Sequence, residues 1–65
     1  MKNVYERIVE KNEKAIRLKR AFLHDIRAGA VEPGPEVAKE DAIRGLLEDI
    51  ATHEELITLM RGRYA

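Results

Sequence analysis

Few side chains in this sequence can do chemistry. There are two histidines, His24 and His53, and twelve acidic residues balanced by twelve basic ones, with no cysteine. Serine is absent as well, so the commonest nucleophiles are missing. No glycine-rich phosphate loop occurs. His53 is the histidine placed to act as a ligand or pH-sensitive contact, with Glu10, Glu13 and Glu54 the carboxylates near it in helical register. A carboxylate-bridged metal centre in a helical bundle needs an inward Glu and a Glu-x-x-His pair on facing helices. Here Ile50 stands three residues before His53, and Ala21 three before His24. The three glutamates also lean outward. The favoured use of His53 is a hydrogen-bonded polar layer with Asn12 that fixes register, as a buried polar residue does in coiled coils. His24 falls on the outer face. No catalytic residue, cofactor or metal is expected.

A second possible chemistry is phosphate contact. Lys11, Lys14, Arg17, Lys19, Arg20 and Arg27 form a basic run, in which Lys14, Arg17, Arg20 and Arg27 are the candidate nucleic-acid contacts. The aromatics Tyr5, Phe22 and Tyr64 all fall on seam positions, so none is free to stack on bases. Formal net charge is zero, which leaves the whole chain without net attraction for nucleic acid or an anionic membrane. Pairing with an acidic second helix is the simpler use of these cations.

The elements that position these residues follow from apolar spacing. Asn3 to about Ala28 repeats with helical period: Tyr5, Ile8, Ala15, Phe22 and Ile26 take seam positions, and Val9, Ile16 and Leu23 form a second line seven residues apart. Asn3 suits the N-cap with Glu6 as its capping-box partner. Gly29 suits the left-handed position past the end. Residues 29 to 34 read as the turn. Pro35 is placed as the first residue of helix two, which runs to about residue 62. Its seam is Ile43, Leu46, Ile50, His53, Ile57, Met60 and Tyr64, apolar except at His53. The expected fold is all-α: residues 1–65 form one antiparallel helical hairpin, each helix about 40 Å long at about 1.5 Å per residue.

Folding the chain about residues 32 to 33 sets Phe22 against Ile43, Ala15 against Ile50, Ile8 against Ile57 and Tyr5 against Met60. The two polar interruptions then meet, Asn12 opposite His53. Lys19, at a seam position, is expected to snorkel outward or to reach Glu48 or Asp49. Val9, Ile16, Leu18 and Leu23 on helix one, and Leu47, Leu56 and Leu59 on helix two, remain outside that seam. They are the expected interface with a second copy, giving a homodimeric four-helix bundle. A domain this small without disulfides has little other route to stability. In architecture, though in no motif, such a dimer is similar to the Rop-type RNA-binding hairpin dimers, an analogy that assigns no function. The expected role is an oligomerising or protein-interaction module with a helical protein as a further partner. Nucleic-acid binding and metal binding are the rivals. No apolar run is long enough for a membrane span or a signal peptide, so a cytoplasmic setting is expected.

Overall fold

The computed structural model describes residues 2 to 64. Two helices, α1 (Val4–Arg27) and α2 (Lys39–Tyr64), pack along each other, and the molecule measures 42 × 19 × 17 Å. Tyr5 meets Tyr64, Asn12 meets His53 and Lys19 meets Asp49, so the helices are antiparallel. No strand occurs among the described residues.

Both ends of α1 are capped as their residue types dictate. The Asn3 side chain accepts from the Glu6 backbone N–H at 2.9 Å, removing one of the orphan donors of the first turn. Glu6 returns to the Asn3 side-chain amide at 3.4 Å, a variant of the reciprocal capping box. At the other end Gly29 adopts φ +77°. Its N–H donates to Ile26 O at 3.1 Å and that of Ala30 to Asp25 O at 2.9 Å. This is a Schellman closure, and the positive φ is why glycine stands there.

The second helix starts at Lys39 rather than at Pro35. The Val37 N–H bonds Gly34 O at 3.1 Å, making Pro35 the second residue of a β-turn. A proline's fixed φ suits that position as well as the first turn of a helix, so its presence does not distinguish the two. The first helical bond is Ala42 N–H to Ala38 O, 3.0 Å. At its far end α2 continues through Gly62 to Tyr64 instead of fraying near residue 62. Tyr64 stacks on Tyr5 with ring centroids 4.1 Å apart, which ties down the last turn.

The core is one line of aliphatics from each helix. Val9, Ile16 and Leu23 pack against Ile50 and Ile57, with Ile43, Leu46 and Met60 beside them. Each such burial is worth about 1.5–3 kcal/mol. Ile26, fully buried, sits at the loop end near Val31, Pro33 and Val37. This corrects the expected interface: Val9, Ile16 and Leu23 do not wait for a second copy, because α2 already covers them. Phe22, expected at the seam from its heptad spacing, is 43% exposed. The seam of α1 runs one line over, through Val9, Ile16 and Leu23 on one side and Tyr5, Asn12, Lys19 and Ile26 on the other. Asn12 and Lys19 are tolerated there because their polar ends find partners across the seam.

Candidate functional site: a polar layer between two unlike edges

The polar layer lies at mid-hairpin, where both helices interrupt their apolar lines. Asn12 donates its amide to Ile8 O at 2.8 Å and turns its Oδ1 to His53 Nδ1 at 2.6 Å. His53 Nε2 is 3.0 Å from Lys19 Nζ, and Lys19 donates to Asp49 Oδ2 at 3.2 Å. The expected meeting of Asn12 with His53 and the reach of Lys19 to Asp49 are both present. The Lys19–His53 contact is additional to both. Its signal was in the chain: Lys19 lies seven residues after Asn12 and seven before Ile26, on one helical line. No buried side-chain polar atom among the described residues lacks a hydrogen-bond partner.

One edge of the hairpin is ionic. Glu13 and Arg20 from α1 stand seven residues apart, as do Glu54 and Arg61 from α2. Arg20 bonds Glu54 at 2.9 Å and Arg61 approaches Glu13 at 3.6 Å. Between them runs a shallow groove with Ile16 and Ile57 in its lining and Arg17 at its rim. Of the candidate nucleic-acid contacts, Arg20 is held by Glu54, while Lys14, Arg17 and Arg27 form no ion pair among the described residues.

The opposite edge is largely apolar. Ile8, Ala15 and Phe22 stand seven residues apart on α1, and Ala42, Asp49 and Leu56 do so on α2. Lys19 meets Asp49 in the middle of this edge. Ile8, Ala15, Ala42 and Leu56 are half-buried and Phe22 is exposed. The other residues expected at the interface are scattered by helical spacing: Leu47 shares a line with Glu54 and Arg61, and Leu18 and Leu59 sit on the outer surfaces, 62% and 49% exposed.

The metal candidates are not gathered. Glu10 is taken by Lys2, whose ammonium is held above its ordinary pKa by that hydrogen bond and the carboxylate's charge. Glu13 and Glu54 are engaged by arginines on the ionic edge. No group of three or more His, Asp or Glu side chains able to hold one ion occurs among the described residues. Fold and site together define an amphipathic helical hairpin with a polar mid-layer. No protein-family model, curated protein or solved structure matches the chain.

Proposed function

We propose that the protein is a small non-catalytic assembly module. Two hairpins associate through their apolar edges as a four-helix bundle, and the ionic edges face outward toward a partner protein. One observation carries this reading, the amount of surface one chain leaves uncovered. The hairpin exposes 5089 Å², whereas a compact monomer of its 7.4 kDa would expose about 4,200 Å² by the usual scaling with mass. The excess, roughly 900 Å², is close to the ~800 Å² that one partner contributes to a standard interface. Phe22, exposed on the apolar edge, is the kind of aromatic anchor that interfaces bury. Charge fits a two-fold arrangement as well, because the Lys19–Asp49 pair offers both signs on the same edge.

Sedimentation equilibrium tests the proposal. The expected species at micromolar concentration is a dimer, and Phe22→Glu combined with Leu56→Glu should leave a helical monomer. A folded wild-type monomer at that concentration would contradict it. No helix among the described residues is long and apolar enough to cross a membrane, and a cytoplasmic setting belongs to this reading, to be checked by fractionating native cells.

A second reading is favoured by one feature: Lys14, Arg17 and Arg27 have no carboxylate within ion-pair distance among the described residues. Cations left free in this way are available to phosphates, and their binding would weaken steeply with salt. A mobility shift with RNA or DNA that is lost in Lys14→Glu/Arg17→Glu would support this reading. No shift at low salt would remove it.

A further inference from the structure

The donor and acceptor roles in the polar layer are fixed by its fixed members. A backbone carbonyl can only accept, so the Asn12 group at 2.8 Å from Ile8 O is its NH₂. The group left facing His53 Nδ1 at 2.6 Å is therefore the carbonyl oxygen, and Nδ1 must carry a proton. On the other side of the ring, an ammonium can only donate. Lys19 Nζ at 3.0 Å thus requires a lone pair on Nε2. One species meets both demands: neutral imidazole with its proton on Nδ1. An unconstrained neutral histidine favours the other tautomer, so the layer selects the minor one.

We propose that this layer is a proton-sensitive latch between the helices. Adding a proton to His53 places an N–H on Nε2, facing an ammonium at 3.0 Å. Two positive donors then point at each other with no acceptor between them. Lys19 leaves the ring and keeps only Asp49, so the layer loses one of its two links to His53. The charged groups around the ring are few. From α1 Lys19 faces it, beside the neutral Asn12 amide. On α2 the flanking carboxylates are Asp49, taken by Lys19, and Glu54, taken by Arg20 on the ionic edge. No carboxylate among the described residues lies within ion-pair distance of the ring to receive the imidazolium.

The sign of the effect follows. Protonating the ring costs the folded hairpin a contact between its helices that the unfolded chain does not have to lose, so acid acts against the folded state. The latch holds while the ring is neutral and weakens once the ring carries a second proton. This is independent of whether the hairpin self-associates.

Nitrogen-15 spectra of the histidine rings in the intact protein test the proposal, with a His24→Gln variant, at a side chain 81% exposed, leaving the His53 signals alone. Above neutrality His53 should show the Nδ1–H pattern. Acidification should remove the His53 pattern and reduce the folded-to-unfolded ratio several-fold before carboxylates titrate. Lys19→Met should abolish most of that pH dependence. An Nε2–H tautomer at neutral pH, or identical pH dependence in wild type and Lys19→Met, would overturn the latch. If Lys19→Met does not fold, the tautomer measurement on the unmodified chain decides alone.

Discussion

Along one edge of the hairpin Glu13 meets Arg61 and Arg20 meets Glu54. Along the other, Ile8, Ala15 and Phe22 run beside Ala42 and Leu56, with the Lys19–Asp49 pair between them. Both edges flank the same seam and are offset from it by one step of the helical repeat. They differ in what they still lack. The ionic edge satisfies its charges within the chain, and solvent screens whatever remains. The apolar edge has no such recourse, because water does not satisfy a phenyl ring. A hairpin of this kind is therefore finished on one side only, which is why self-association is proposed on the apolar edge.

The largest expected effect removes the seam on which both edges depend. Ile57→Ala deletes part of the central line, and large-to-small changes at such positions cost about 2–5 kcal/mol. Urea or thermal unfolding should show loss of most of the folded population. Helicity unchanged by this substitution would mean that Ile57 is not covered by α1 in solution.

Next comes the contrast between the edges themselves. Phe22→Glu on the apolar edge should shift sedimentation toward monomer, while Arg20→Glu on the ionic edge should leave the dimer intact. The two positions lie two residues apart on the same helix but on different sides of it, so general damage to α1 would affect both alike. Equal loss of association from both substitutions would mean that the two edges do not differ in their part in assembly.

Much of this could be read from the chain, and what could not has a physical cause. The α2 seam was legible because six of its seven members are apolar, and a helical line of that kind has one arrangement. In α1 two lines competed. Ile8, Ala15 and Phe22 complete the alternating three-and-four spacing with Tyr5, Asn12, Lys19 and Ile26, so the heptad reading puts Phe22 inside and leaves Val9, Ile16 and Leu23 as a flank. The chain instead buries Val9, Ile16 and Leu23 beside that same line, and apolar spacing does not distinguish the two flanks, because both are apolar at every position. The start of α2 lies at Lys39 and not at Pro35 for a related reason, since a proline serves a β-turn and a helix start with the same φ. By contrast Gly29 and Asn3 were legible because each does something few other residues can: adopt a positive φ, or cap a backbone donor.

A smaller effect probes a third surface, belonging to neither edge. Gly45 lies in the interior of α2 on the line of Thr52 and Leu59, and a Cβ built there meets nothing within 4 Å. Gly45→Ala should then stabilise the helix by about 0.5–1 kcal/mol, the usual difference between these residues in a helix interior. A loss of stability or of association instead would place a second chain against α2 at Gly45, and the apolar edge would no longer be the main interface.

The smallest expected effect tests the claim that the ionic edge is self-sufficient. Arg20 and Glu54 have side chains 62% and 52% exposed, and ion pairs with that exposure contribute about 0.2–1 kcal/mol at most. A double-mutant cycle with Arg20→Ala and Glu54→Ala should return a coupling near the bottom of that range, shrinking further as salt is added. The salt dependence is the informative part. If the edge stays open to water in the assembled protein, coupling falls smoothly with ionic strength. If it is buried against another chain, screening is lost and the coupling becomes larger and insensitive to salt. The second result would exchange the roles of the two edges, making the ion pairs part of an interface and leaving Phe22 in solvent.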